Sequence, residues 1–306
     1  VKKSVYFPLA VSAISVANSL YAATPEGSTR LEAGTEYDSN LGVVELDQYS
    51  TQSDWAALLN ARLNGRWKAN EKLDVKAGYY YLTKTYQDNE NFDLHLQQLF
   101  ADASYHFDVV TLGASYHNAD AELAGRDFLQ LQQTSLYASR LFNNRIFLRA
   151  ATNYQDKDFT GNAGRNAQNT GVAGDVFIFF QQGNTFFAAG FTREEEDAVQ
   201  NQFNYDALSV RASINHKFQA WGMPSKLQLG VRYHDRDYSA AMRSTDDNQT
   251  NVFRNDNHRV TSIEWEVNLT PKVTATSKIE RGNYDSNLAA ANYSETLASV
   301  TFGVTF

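Results

Sequence analysis

Arg232, His234 and Arg236 occupy alternate positions of one segment, and His258, Glu264 and Glu266 share one parity in the next. In extended segments each set lies on one face, because successive strand side chains point to opposite sides. Charges of both signs facing one another would either screen a charged solute or pair as a salt-bridge ladder that stiffens the wall. Acid–base catalysis would draw on His234, Asp235, Asp237 and His258. Asp235, however, falls on the face opposite His234, and no Ser, His and acid form a recognisable arrangement. The six histidines are dispersed, with no spacing of a metal helix or finger. Neither catalytic residues nor a metal or cofactor are therefore expected.

Positioning such residues requires long strands, and the chain supplies them. Leu31, Ala33, Thr35 and Tyr37 share a face; Trp55, Ala57, Leu59, Ala61, Leu63 and Trp67 alternate with Asn60, Arg62, Asn64 and Arg66; and Leu73, Val75, Ala77, Tyr79 and Tyr81 alternate with Asp74, Lys76 and Gly78. Eleven more segments follow the rule, giving fourteen candidate strands. They lie near residues 92–107, 109–118, 128–141, 145–155, 171–181, 185–194, 205–218, 226–238, 259–269, 272–282 and 293–306. In the fourth, apolar parity switches from Leu94 and Leu96 to Leu99, Ala101 and Ala103, which predicts a bulge near Gln97 and Gln98.

Connections alternate in length. Those at 68–71, 108, 142–144, 182–184, 219–225 and 270–271 are short, and the intervening ones are longer and rich in Asp, Asn, Gly and Gln. Short periplasmic turns and long outer loops mark a membrane barrel, with the longest outer loops at 38–53, 156–170 and 239–257. Tyr37, Tyr86, Tyr116, Tyr154, Tyr233 and Tyr284 near outer strand ends, and Trp67, Phe107, Phe142, Phe218, Trp221 and Phe306 near inner ends, suit the two aromatic girdles. The fold expected is all-β, a transmembrane antiparallel up-and-down barrel of about 14 strands. A secreted β-sandwich also alternates, but it does not account for the long regular strands.

Composition excludes other classes. Mean hydropathy of −0.48 and the absence of a long apolar run rule out a helical membrane protein, whereas a barrel with a polar lumen needs only about 10 alternating residues per strand. A net charge of −8 argues against nucleic-acid binding. The chain has no cysteine, so disulfides and thiolate metal sites contribute nothing. Lys2 and Lys3, the apolar run from Val5 to Val16 and the small residues from Ala17 to Ala23 read as a secretory leader over 1–22, cleaved near Ala22 or Ala23 and followed by a barrel over 23–306. At the other end, Ala298, Val300, Phe302, Val304 and Phe306 share a face. This terminal strand resembles the insertion signal of bacterial outer-membrane barrels, carried here by Phe302, Val304 and Phe306. Outer-membrane lipid and the barrel-assembly machinery are thus expected partners.

If the apolar parity faces lipid, the lumen receives Glu32, Glu36, Asp74, Glu264, Glu266 and Glu280 opposite Arg62, Arg66, Lys76, Arg149, Arg211, Arg232, Arg236 and Lys278, with His234 among them. A polar path for a hydrophilic solute or an exported substrate follows, narrow or filled by infolded loops. One pentapeptide occurs twice, at Tyr37-Asp38-Ser39-Asn40-Leu41 and Tyr284-Asp285-Ser286-Asn287-Leu288, each where a rising strand meets an outer loop. Asp38, Asn40, Asp285 and Asn287 suit side-chain-capped turns at the rim, with a calcium or glycan contact at Asp38 and Asp285 as the alternative.

These copies, together with Gly125-Arg126-Asp127-Phe128, Asn255-Asp256 with Arg259, and the closing strand to Phe306, make the chain resemble the carboxy-terminal barrel of the surface lipoprotein assembly modifier family. The resemblance covers most of the mature chain. It implies a role in moving lipoproteins or other proteins to the cell surface. Family members usually carry a periplasmic tetratricopeptide domain ahead of the barrel; here about seven residues separate the leader from the first strand, so a separate partner is implied. The functions in view are a porin-like channel or export conduit, partner-dependent translocation of surface proteins or polysaccharide, and an adhesion or structural barrel acting through its outer loops.

Overall fold

The computed structural model describes residues 25–43, 46, 48–243, 251–288 and 291–306. The leader and its cleavage site lie outside the described residues. Fourteen antiparallel strands close into one barrel. They are β1 (Glu26–Asp38), β2 (Asp54–Lys68), β3 (Leu73–Tyr86), β4 (Leu94–His106), β5 (Thr111–Leu123), β6 (Arg126–Phe142) and β7 (Ile146–Asp158). The second half is β8 (Ala167–Phe180), β9 (Thr185–Ala198), β10 (Tyr205–Ala220), β11 (Met223–Arg243), β12 (Asn251–Asn268), β13 (Val273–Ser286) and β14 (Tyr293–Thr305). Each strand pairs with its sequence neighbours, and β1 pairs with β14. Closure satisfies every strand's backbone without an edge, the condition for crossing lipid with strands.

The two parities separate cleanly. Leu59, Leu63, Leu99, Leu136, Val172, Ile263 and Ile279 point outward and are exposed, as a lipid-facing wall requires. Inward residues meet across skipped strands: Arg211 of β10 reaches Asp175 of β8, and Arg232 of β11 reaches Glu280 of β13. Among the expected girdle residues, Tyr86 and Tyr284 are corrected. Both are inward and buried, because each finds polar partners in the lumen, whereas Trp67, Phe107, Tyr116, Tyr154 and Phe306 stay exposed on the outside.

The bulge expected near Gln97 and Gln98 is absent. The registers β3–β4 and β4–β5 run without a break through these residues. Leu94 and Leu96 keep the inward parity of Gln98 and Phe100 and bury against an apolar patch inside the barrel, which is why the pattern looks shifted. A break occurs instead between β5 and β6 at Ala121/Glu122, where the extra residue lets Phe128 and Leu129 both bury. A second lies between β11 and β12, from Asp237 to Ala241.

The connection expected at 239–257 is mostly strand, since β11 runs to Arg243 and β12 starts at Asn251. The turn expected over 219–225 shrinks to Trp221 and Gly222, both at positive φ. Leu123 and Arg126 are joined the same way through Ala124 and Gly125. Two successive positive φ values are the hairpin geometry that follows strand twist.

Candidate functional site

The lumen splits along its length and around its circumference. In the inner half most of its charges are paired. Arg66 Nε donates to both Asp74 oxygens at 3.0 Å. Arg30 lies 2.8 Å from Glu32 and 3.8 Å from Glu266 of β12. Lys226 lies 4.0 Å from Glu264 and 3.9 Å from Glu266. Glu280 binds Arg232 at 2.7 Å and Lys278 at 2.9 Å. Arg211 meets Asp175 over Gly190, where a Cβ would come within 2.4 Å of the carboxylate; the bridge therefore needs glycine there. Arg62 stacks over Tyr80 at 5.2 Å and Arg149 over Tyr137 at 4.3 Å.

All ten expected lumen residues, Arg62, Arg66, Arg149, Arg211, Arg232, His234, Arg236, Glu264, Glu266 and Lys278, thus project inward. They do not form one cluster. His234 pairs with His258, ring centres 5.6 Å apart, but Arg236 stands opposite Asp256, and Glu264 and Glu266 stand opposite Gln228 and Lys226 further down the barrel. Asp235 bonds outward-facing partners, Asn257 and Asn255, away from the two histidines.

Toward the outer end an arc of charged and aromatic side chains runs inside the wall. Lys157 of β7, Glu196 of β9 and Tyr205 of β10 join in one buried group, Tyr205 donating to Glu196 at 2.6 Å. Arg236 stacks on Tyr205 at 4.2 Å, and Arg254 stacks on Tyr238 at 4.5 Å while binding Asp256 at 2.6 Å. The arc continues with His258 edge-on to Tyr284, which stacks on Tyr293. Across β1 and β3, Lys84 pairs with Glu36 and with Asp38 at 3.3 Å, and Tyr86 donates to Asp38 at 2.8 Å.

The remaining arc is apolar, and Leu41, Val43 and Leu46 of the chain between β1 and β2, hereafter loop 1, lie on it. Val43 buries against Leu94, Leu96, Ala119, Ala121, Phe128, Leu129 and Phe159, with Leu46 packed beside it. Leu41 is fully buried with Ala56 and Tyr86. Since these partners face inward, Leu41, Val43 and Leu46 sit within the outer mouth and narrow it. Its root is fixed to β14: Ser39 N donates to Thr296 O at 3.0 Å, Thr296 N donates to Ser39 Oγ at 2.8 Å, and Asn40 donates to Ser294 O.

The second pentapeptide copy makes a similar clamp one hairpin away. Asn287 donates to Phe253 O at 2.6 Å and accepts from Asn255 N at 3.0 Å, and Ser286 donates to Asp256 at 2.6 Å. The two copies have opposite parity. Asp38 is inward and fully buried, whereas Asp285 is outward, 3.7 Å from Arg259, so they form no shared calcium or glycan contact. Among the described residues no three His, Asp or Glu gather as a metal site.

The pattern of the surface lipoprotein assembly modifier family matches residues 43–306. This chain belongs to that family. No curated protein matches it. Solved structures similar to this family member include a loop-deleted OmpT, an outer membrane protein of Vibrio cholerae, at TM-score 0.56 and 10% identity, with 94% of this chain and 100% of that one covered. An anion-selective porin from Comamonas acidovorans follows at TM-score 0.54 and 9% identity, with 92% and 99% covered. At these identities the likeness concerns the fold: a barrel of the bacterial outer membrane, resident in its lipid bilayer.

Proposed function

We propose that this barrel is an export conduit that, served by a partner, moves lipoproteins or other surface-destined proteins across the outer membrane, with loop 1 filling its mouth at rest. The observation that carries this reading is the seating of Leu41 and Val43 on the apolar arc of the lumen. A mouth occupied by a displaceable segment suits regulated passage better than free diffusion. The mostly paired, mixed-sign charges along the inner half lower the net field that an extended chain would meet. Membership in the family supports the cargo class. The closing seam also fits, since β1 and β14 pair at nine positions while other neighbours pair at twelve to sixteen. Phe302, Val304 and Phe306 serve insertion by the barrel-assembly machinery.

Deleting the gene in its native cell, then shaving intact cells with protease, tests the proposal. One or more lipoproteins should leave the surface-exposed set while their total amounts stay constant; an unchanged exposed set would overturn it. A second reading, a channel for small hydrophilic solutes, draws on the partly exposed Arg211, Arg232 and Lys278 of the lumen wall.

A further inference from the structure

The lipid-facing wall carries a feature that the lumen does not explain. Outward positions Ala138, Ala150 and Gly174 are neighbours in register across β6, β7 and β8. They floor a groove of about 640 Å³ walled by Leu148, Val176 and Phe191, within the roughly 300–1,000 Å³ of ordinary ligand sites. The Phe191 ring leans over Gly174, where a Cβ would come within 2.6 Å of it. Any larger residue at 174 would push that ring out of place.

At the end of the groove nearest the short turn between β6 and β7 stands Arg140, exposed and outward, its guanidinium 4.8 Å from the centre of the Phe142 ring. Arg145, in that turn, stacks likewise on Phe180 at 5.3 Å. Among the described residues Arg140 makes no salt bridge, although the charges of the lumen are mostly paired. A guanidinium on the lipid face is destabilising unless it reaches the interface and an anionic group there. The periplasmic end of an outward groove, with two arginines and an apolar floor above them, therefore has the polarity of one diacyl lipid: hydrocarbon above, phosphate below.

We propose that this groove holds one anionic glycerophospholipid of the periplasmic leaflet, an acyl chain along Ala138 and Ala150 against the Phe191 ring and the headgroup phosphate on Arg140. The site is independent of the passage assigned to the lumen.

Native mass spectrometry of the folded chain in detergent, supplied with phosphatidylglycerol or phosphatidylcholine, tests this. Wild type should retain one phosphatidylglycerol in preference to phosphatidylcholine. R140Q should lower the retained fraction by about tenfold, the scale of one lost charge-assisted contact, while R140K keeps most of it. A150F should displace the lipid by filling the groove, and A298F on the outward face of β14 should not. Equal retention by wild type, R140Q, A150F and A298F would show annular lipid alone and overturn the proposal. So would an oligomer that A150F disperses, since the face would then join copies of the chain. R140Q removes only an exposed side-chain tip, so that comparison stands even if A150F fails to fold.

Discussion

Asp38 is fully buried at the top of β1, and its charge is tolerated because Lys84 and Tyr86 of β3 both reach it. Lys84→Met removes the cation shared by Asp38 and Glu36 and leaves two carboxylates in a dry corner. Breaking one partner of a buried pair costs about 3–5 kcal/mol, so the urea midpoint of the folded barrel should fall markedly; an unchanged midpoint would contradict the burial described. The arginines of the lumen divide differently. Arg236 lies against the Tyr205 and Tyr238 rings and belongs to the wall, whereas Arg211 and Arg232 keep more than a third of their side-chain surface exposed. Neutralising Arg211 and Arg232 in an open pore should move the reversal potential toward cation preference, while R236Q should act mainly on stability. Equal reversal potentials with and without the two arginines, both in a barrel opened by changing Leu41 and Val43 to serine, would remove the pair from the ion path. Sequence parity was enough to say which charges point inward. It could not say which ones meet, because Arg211–Asp175 and Arg232–Glu280 skip a strand and depend on register.

At the scale of the element, loop 1 and its root do most to shape the mouth. Asn40 ties the loop to β14 through Ser294 O, and Asn287 ties the end of β13 to β12 through Phe253 O. Asn40→Ala should therefore lower barrel stability by about 1 kcal/mol, the net worth of one such hydrogen bond, measured as a urea midpoint shift; no shift would show that the seam closes without the clamp. Gly34 imposes a stricter condition, since a Cβ there would lie 2.1 Å from Val300 O in the seam. Gly34→Val should leave the chain unclosed, visible as loss of the heat-modifiable gel band, and a normally folded band would contradict the seam geometry. All fourteen strands were legible because a wall between lipid and water enforces period two. Leu94 and Leu96 broke that pattern for a reason the strand alone does not carry: loop 1 lies over them. The tight hairpins at Ala124–Gly125 and Trp221–Gly222 were hidden in the same way, as Ala and Trp are unusual first residues at positive φ.

For the whole molecule, closure by strands explains why a chain this polar can live in lipid, and among the described residues no helix is long and apolar enough to cross. The family and the outer-membrane fold were both legible at the sequence level, from the terminal strand, the repeat and the alternating loop lengths. Infolded loops were foreseen as one way to fill the lumen, but not which loop, because that depends on Val43 and Leu46 meeting residues of β4, β5 and β6. The role proposed for loop 1 is to fill the outer mouth at rest. Its most direct measurement is the single-channel conductance of the refolded chain in a planar bilayer, set beside a variant with Leu41 and Val43 both changed to serine. A silent or rarely open wild type and a stably conducting variant with the same folded-barrel gel shift are expected. A wild type that conducts steadily, at the level of the variant, would contradict that role and return the barrel to the class of open diffusion channels.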